Sequence, residues 1–244
     1  MAHDLLLLSN STVHGRGYLE HALDAIAEFL GRRRTVHFVP FALADHDGYT
    51  ARVQDALRPL GVEVIGLHAA ADARAEVERA EVLFVGGGNS FRLLRSVQRL
   101  NLLEPVGRRV AAGSLGYLGS SAGTNHACPS IRTTNDMPIV QPESFAAFAL
   151  VPFQINPHYQ DALPGSTHMG ETREQRVHEF LEENDVPVLG MREGSWLRRR
   201  GASLVLEGTT GAMLFRRGAA AVPYDEGADL SFLLTLTARF DSPA

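Results

Sequence analysis

Apolar runs alternate with amphipathic stretches along the first half of the chain. In 18–30, apolar residues recur at helical spacing, so that Leu23, Ile26 and Leu30 share one face. Short continuous apolar runs separate such stretches and are typical of buried strands. The predicted strands are 5–8, 36–41, 62–67, 82–85 and 115–118. The predicted helices are 18–30, 49–57, a segment after Asp72, and 90–112 with a break at Asn101.

This alternation predicts an α/β fold with a mostly parallel sheet and helices on both faces. We expect the functional residues at the carboxyl ends of the strands. The second half of the chain differs from the first. It is expected to contain a strand at 150–155, a helix at 171–184 with a capping box, and two C-terminal β-hairpins, 196–199 with 203–207 and 212–216 with 219–223. Because no change in composition marks a linker, residues 1–244 are expected to form a single three-layer domain.

Composition narrows the function classes. The chain has 244 residues, of which 45% are hydrophobic, and a formal net charge of −5, so it lacks the basic surplus that nucleic-acid binding requires. The lone Cys128 excludes an intramolecular disulfide and a cysteine-based zinc site, which favours a reducing, cytoplasmic location. The run 5–8 is too short for a signal-peptide core, and no stretch approaches the ~20 apolar residues of a membrane span. We therefore expect no metal, cofactor, nucleic-acid or membrane partner.

The pentapeptide 119–123, Gly-Ser-Ser-Ala-Gly, follows the predicted strand 115–118. It matches the G-x-S-x-G nucleophile elbow, in which a sharp strand-to-helix turn exposes a serine hydroxyl. Ser121 would be that serine, although a plain glycine-rich loop has the same pattern. A second glycine loop, 86–89, follows strand 82–85 and lacks both phosphate-binding consensus patterns. It is either a tight turn or one half of an oxyanion hole.

A serine nucleophile needs a base and an acid that orients the base. Among ten histidines, His158 stands out because Pro157 is expected to end a strand and send the histidine into a loop at that strand's end. His168, in a loop flanked by glycine and proline, stays open as an alternative. Asp136 and Glu193 both lie in turn-like segments near strand ends, so either carboxylate fits the third position.

Several segments together resemble the S51 family of serine peptidases, whose members include α-aspartyl dipeptidases. The resemblance runs in order from the first strand to about Trp196, and the block 128–138 is its most specific part. The resembling segments are 5–12, 85–89, 119–123, 127–138, 154–158 and 170–176. One position departs from the family pattern, because Ser120 stands where the family usually has a tryptophan. The resemblance implies a glutamine-amidotransferase-like fold.

The resemblance also implies roles for residues of this chain. Ser121 would be the nucleophile and His158 the general base, with Asp136 as the acid traditionally assigned and Glu193 as its competitor. The backbone N–H groups of Gly88 and Ala122 would form the oxyanion hole.

An N-terminal aspartate in the substrate calls for a cation that meets its β-carboxylate and for a partner of its free amine. Guanidinium groups bind carboxylates through two hydrogen bonds, so Arg173 is the first choice and Arg132 the second. Asn89 is expected to assist by hydrogen bonding, and Glu171 is the candidate for the amine.

The sequence therefore predicts a serine dipeptidase that hydrolyses Asp-Xaa dipeptides through an acyl-enzyme, with a homodimer left open. Three alternatives remain. One is a related S51 activity such as cyanophycin degradation, and another is a catalytically silent binding module of the amidotransferase-like fold. The third, an α/β-hydrolase esterase, would place its histidine near the C-terminus, where this chain has none after His178.

Overall fold

A seven-stranded, mostly parallel sheet dominates the part of the chain that the computed structural model describes, residues 3–162 and 170–242. The strands are β1 (Asp4–Leu8), β2 (Thr35–Val39), β3 (Glu63–Gly66), β4 (Val82–Val85), β5 (Gly116–Ser120), β6 (Gln154–Tyr159), β7 (Val188–Arg192), β8 (Ser195–Arg200), β9 (Ser203–Gly208), β10 (Ala212–Phe215) and β11 (Val222–Tyr224). The large sheet has the order β3-β2-β4-β5-β1-β8-β9. Strands β1 to β5 run parallel, and β8 and β9 extend the sheet antiparallel.

The helices are α1 (Leu23–Leu30), α2 (His46–Leu57), α3 (Ala73–Arg79), α4 (Ser90–Arg99), α5 (Leu103–Ala111), α6 (Ala122–Asn125) and α7 (Arg173–Glu183). Helices α1 to α5 cover the large sheet, whereas α7 packs against Val188 of β7 and Phe215 of β10. Alternate leucines of β1 show that both faces of the sheet are covered. Leu5 and Leu7 join one buried cluster, whereas Leu6 and Leu8 join the other. The predicted α/β fold with helices on both faces is confirmed.

Side chains at the helix N-termini support the predicted boundaries. Asp72 caps α3 by accepting the backbone N–H of Ala75. Thr172 caps α7, and the side chain of Gln175 accepts the N–H of Thr172 in return, which confirms the capping box. The predicted break at Asn101 is also confirmed, because this residue has a positive φ of 53° between α4 and α5.

A second, four-stranded sheet with the order β11-β10-β7-β6 was not predicted. Both C-terminal hairpins are confirmed, although the last strand is Val222–Tyr224 and not the predicted 219–223. They belong to different sheets: β8 and β9 extend the large one, whereas β10 and β11 join the small one. The strand predicted at 150–155 is wrong for 150–153. Strand β6 begins at Gln154 and continues through Pro157 and His158 to Tyr159.

Pro157 does not end β6 because this strand lies at the edge of the small sheet, where a missing N–H is tolerated. The pairing with β7 shifts between Asn156 and Tyr159, which marks an irregularity of the β-bulge kind. His158 sits inside this irregularity with a φ of 55°, so it lies in a strand and not in the predicted loop.

In the described ranges no helix is both long and apolar enough to cross a membrane.

Candidate active site

The turn between β5 and α6 brings Ser121 to the carboxyl edge of the large sheet. Ser121 has φ 54° and ψ −113°, a conformation that L-residues rarely adopt and that the G-x-S-x-G pattern predicts. A Cβ atom added to Gly123 would lie 1.9 Å from the carbonyl oxygen of Val85, so only glycine fits there. The carbonyl oxygen of Leu8 accepts the Ser121 N–H at 3.1 Å. The elbow is therefore held from two neighbouring strands.

His158 connects Ser121 to Glu193. Its Nε2 lies 2.8 Å from Ser121 Oγ, and its Nδ1 lies 2.6 Å from Glu193 Oε1. An ionised carboxylate only accepts hydrogen bonds, so this contact favours a proton on Nδ1. Nε2 is then free to accept the serine proton. Geometry of this kind activates a serine hydroxyl for attack on a carbonyl carbon.

Asp136, the other acid left open by the sequence, makes different contacts. Its Oδ2 accepts the backbone N–H of Ser90 at 2.7 Å, at the start of α4, and lies 3.2 Å from Thr134 Oγ1. Among the described residues, both ring nitrogens of His158 are occupied by Ser121 and Glu193. The histidine is thus bonded to Glu193, whereas Asp136 lines the cavity beside Ser121.

Sequence reasoning missed the residues that hold His158 in place. Ser9, directly after β1, donates its hydroxyl to the carbonyl oxygen of Met191 at 2.9 Å and accepts the His158 N–H at 3.0 Å. Asn135 donates to the carbonyl oxygen of Pro157 at 2.8 Å. Asn10 accepts the N–H of Gly194, which follows Glu193, at 2.9 Å. The sequence signal for Ser9 and Asn10 is their position directly after a buried apolar strand, where polar side chains can form hydrogen bonds with neighbouring elements.

We expect Ser9→Ala to lower kcat about tenfold with little change in KM, because the loss of both hydrogen bonds of this hydroxyl loosens the base and leaves the substrate-binding groups in place. Steady-state kinetics of the folded variant would measure both constants. Ser96→Ala is the matched control, since its hydroxyl bonds only to Arg92 within α4 among the described residues. Equal kcat for Ser9→Ala and wild type would contradict the assigned role of Ser9.

A cavity of about 200 Å³ opens beside the serine. Gly88, Ala122 and His158 line it together with Ser121. None of the hydrogen bonds found between described residues uses the backbone N–H of Gly88 or Ala122. Ala122 is the first residue of α6, where N–H groups have no partner inside the helix. Two backbone donors are thus available at the cavity wall.

Of the four predicted substrate-binding residues, Arg173 and Arg132 lie beside this cavity. Both line a smaller adjoining cavity of about 50 Å³, and the two cavities share Thr134 and Asn135 in their walls. Burial lowers the pKa of the Arg173 guanidinium, and Arg176 lowers it further, whereas the negative charge of Asp136 acts in the opposite direction. Arg173 is therefore a partly desolvated cation that an anionic group would stabilise.

The other three predicted binding residues are already bonded to other groups of the protein. Arg132 makes two hydrogen bonds with the carboxylate of Asp241, at 2.7 and 3.0 Å. Asn89 caps α4, accepting the N–H of Arg92 while donating to the carbonyl oxygen of Met137. Glu171 is exposed and pairs with Arg176 at 3.3 Å. His168, the alternative base, lies outside the described residues.

A family model for "Peptidase family S51" matches residues 5–206 of this chain. The chain belongs to peptidase family S51.

Curated relatives of this S51 peptidase span nearly its whole length. The "Peptidase E" of Streptomyces coelicolor is 60% identical over 239 residues, covering 98% of both chains. A "Probable alpha-aspartyl dipeptidase" of Drosophila melanogaster is 50% identical and covers 96% of this chain and 98% of its own. The "Peptidase E" of Salmonella typhimurium is 48% identical, with 92% of this chain and 98% of its own covered.

Two crystal structures share the fold of this S51 peptidase. A putative peptidase E from Listeria monocytogenes superposes with a TM-score of 0.65 at 23% identity and covers 86% of this chain and all of its own. A peptidase from an acI-B1 actinobacterium has the same TM-score at 15% identity, with 95% of this chain and 98% of its own covered. At these identities the likeness shows the fold alone.

Two further titratable groups near the elbow are buried. Burial raises the pKa of the Cys128 thiol, whose sulfur accepts the N–H of Ile155 at 3.1 Å. Burial lowers the pKa of His126 to about 4, although its contact with the Ala122 carbonyl oxygen acts the other way. Both groups are therefore neutral near pH 7. The prediction that Cys128 is a packed side chain agrees with its burial.

Proposed function

We propose that this S51 peptidase is a serine dipeptidase that removes aspartate from the N-terminus of Asp-Xaa dipeptides. The observation that carries the proposal is the continuous contact from Glu193 through His158 to Ser121 at the elbow. The names of the curated relatives, Peptidase E and alpha-aspartyl dipeptidase, support the substrate class.

In the first half of the proposed reaction, Ser121 Oγ bonds to the scissile carbonyl carbon while its proton moves to His158 Nε2. The carbonyl oxygen becomes an oxyanion and accepts the N–H groups of Gly88 and Ala122. Collapse of this intermediate breaks the peptide bond, and His158 returns the proton to the departing amine. Glu193 stabilises the charged imidazolium throughout.

In the second half, water attacks the aspartyl ester and gives one proton to His158. The ester bond breaks, free aspartate leaves, and the proton returns to Ser121 Oγ. All bonds and protons balance with water as the only co-substrate. We therefore expect activity to be insensitive to metal chelators.

Selectivity for aspartate rests on two opposite charges at the cavity. Arg173 is proposed to meet the β-carboxylate of the substrate, because a partly desolvated guanidinium gains from a bidentate anion. Asp136, in the wall of the Ser121 cavity, is proposed to accept the free α-ammonium in place of Glu171, which is exposed and paired with Arg176. Together they require an acidic side chain and a free N-terminus on the same residue.

The alternative activities have less support. A silent binding module does not need an aligned serine, histidine and carboxylate, yet this chain has all three in contact. Cyanophycin degradation could use the same serine, histidine and carboxylate, but none of the three curated relatives described above is named for that activity. A cytoplasmic location, a homodimer and a single domain stay predictions, as do the expected absences of metal, cofactor and nucleic-acid partner.

The direct test compares the release of leucine from Asp-Leu, Asn-Leu and Glu-Leu. We expect Asp-Leu to have a kcat/KM at least about 100-fold above that of Asn-Leu, because the neutral amide forfeits a charge-assisted pair with Arg173. A chelator should leave the rate unchanged. Comparable turnover of Asn-Leu, or loss of activity with the chelator, would overturn the proposal.

Arg173→Gln should lower kcat/KM for Asp-Leu about 100-fold, since it removes the proposed partner of the β-carboxylate. The ratio of kcat/KM for Asp-Leu to kcat/KM for Asn-Leu should fall accordingly. Arg132→Gln is the matched control, because Arg132 is already bonded to Asp241 and was the second sequence candidate. If Arg132→Gln lost selectivity while Arg173→Gln kept it, the assignment of the two arginines would have to be exchanged.

A further inference from the structure

The hydroxyl of Tyr49 reaches the glycine loop that precedes α4. Tyr49 lies on α2, is 4% exposed, and packs edge-on against Phe38 with 4.9 Å between the ring centroids. Its Oη lies 3.1 Å from the carbonyl oxygen of Gly87 and 3.2 Å from the hydroxyl of Tyr18. Both polar contacts lie within the apolar cluster that covers one face of the large sheet, the face of Leu6 and Leu8.

The direction of these hydrogen bonds follows from the groups involved. A carbonyl oxygen only accepts, so Tyr49 donates its single proton to Gly87. Tyr18 must then donate to Tyr49. Burial raises the pKa of both tyrosines, so the two hydroxyls stay protonated donors. The result is a chain of hydrogen bonds that ends on the Gly87 carbonyl.

The Gly87 carbonyl and the Gly88 N–H belong to one peptide group. In a planar trans peptide these two bonds point in opposite directions. A donor that holds the carbonyl on the α2 side therefore aims the N–H away from α2. Gly88 itself lines the cavity beside Ser121, and none of the hydrogen bonds found between described residues uses its N–H.

Three consecutive glycines give this peptide no side chain of its own that fixes its orientation. Gly88 has a φ of 128°, which glycine adopts at little cost, so the loop cannot hold its own orientation through side chains. Tyr49 packs directly against the loop, since a Cβ added to Gly86 would lie 2.5 Å from the tyrosine Oη. Backbone hydrogen bonds hold the loop on either side, from the Gly86 N–H to the Val39 carbonyl oxygen and from the Asn89 N–H to the Ala42 carbonyl oxygen. Tyr49 holds the carbonyl of the peptide between them.

We propose that Tyr49 is a positioning residue for the oxyanion hole, orienting and polarising the peptide group between Gly87 and Gly88 so that its N–H meets the developing oxyanion. This inference rests on the proposed function, because it assumes that Gly88 donates to an oxyanion. A hydrogen bond to the carbonyl also strengthens the N–H of the same peptide as a donor, because bonds in a chain polarise one another.

Tyr49→Phe keeps the ring and removes only the hydroxyl, which donates to Gly87 and accepts from Tyr18. Outright loss of one oxyanion donor costs about 10²–10³ in kcat, and Tyr49 acts one group away, so we expect a kcat for Asp-Leu about tenfold lower. KM should stay within about twofold, because an interaction made only in the transition state affects kcat and not ground-state binding. Tyr224→Phe, the same change on β11 of the small sheet, is the matched control and should leave both constants unchanged.

An aspartyl aldehyde separates this role from a merely structural one. It forms a tetrahedral adduct with the serine and places an oxyanion in the hole, whereas the product aspartate does not. We expect Tyr49→Phe to weaken aldehyde inhibition about tenfold, in parallel with kcat, and to leave inhibition by aspartate within about twofold. Equal weakening of both inhibitors would indicate a distorted cavity and overturn the inference.

The outcomes also separate this inference from the proposed function. If wild type does not hydrolyse Asp-Leu, the proposed function fails and the inference fails with it. If wild type is active and folded Tyr49→Phe keeps its kcat, the inference alone fails. If Tyr49→Phe does not fold, Tyr18→Phe replaces it as the test. A kcat about threefold lower at constant KM would support the chain of hydrogen bonds, and an unchanged kcat would overturn the inference.

Discussion

Ser121→Ala is expected to lower kcat for Asp-Leu by about 10⁴-fold or more. The alanine variant has no atom that can form the acyl-enzyme, so only the oxyanion donors and substrate binding remain to accelerate hydrolysis by water. The change should leave the fold intact, since the Ser121 N–H still bonds to the carbonyl oxygen of Leu8. Rates of leucine release at saturating substrate would measure the effect.

Ser120→Ala provides a control of the same chemical type one residue away. Ser120 is fully buried, and its Oγ has no hydrogen-bond partner among the described residues. Its removal should therefore change kcat by less than about threefold, because no described contact is lost. Comparable losses in both variants would mean that the elbow is merely sensitive to substitution and that Ser121 has not been shown to act as the nucleophile.

Glu193→Gln is expected to lower kcat by about 10³–10⁴-fold. A glutamine amide can donate to His158 Nδ1, which leaves the proton on Nε2 and removes the lone pair that accepts the serine proton. The uncharged amide also gives less stabilisation to the imidazolium. KM should change little, because Glu193 does not line the Ser121 cavity. Steady-state kinetics of the folded variant would test both expectations.

Asp136→Asn is the matched comparison, since it makes the same loss of charge at the other candidate acid. Its amide oxygen can still accept the Ser90 N–H at the start of α4. We expect kcat to fall less than about fivefold and KM to rise about tenfold, because the proposed partner of the substrate ammonium loses its charge. The reverse pattern, with kcat lost in Asp136→Asn and retained in Glu193→Gln, would return the orienting role to Asp136.

Local sequence patterns were sufficient for the parallel strands of the large sheet and for the elbow. The buried leucines of β1 and the apolar run of β4 are continuous, because parallel strands covered on both faces have no polar side. The elbow was recognised because its glycines are required by backbone packing within the local strand-turn-helix unit. The Cβ contact at Gly123 shows this requirement directly.

The partners of individual polar side chains could not be predicted, because they depend on tertiary pairing. Pro157 was expected to end a strand, yet an edge position that no local pattern reveals allows β6 to continue. Arg132 was predicted to bind the substrate, but its guanidinium is bonded to Asp241, a residue 109 positions away and close to the C-terminus. Likewise, Asp136 and Glu193 have equivalent local contexts, and only the path of β7 into β8 brings Glu193 to the histidine.

The proposed nucleophile and its base are carried by different sheets. Ser121 follows β5 of the large sheet, whereas His158 lies on the outermost strand of the small one, and Ser9 bridges the two by bonding to Met191 and His158. The distance from Ser121 Oγ to His158 Nε2 therefore measures how well the two sheets are docked. A slight separation between them would inactivate the enzyme while every strand kept its own ladder, so catalysis depends on the packing between the two sheets and not only on the stability of each.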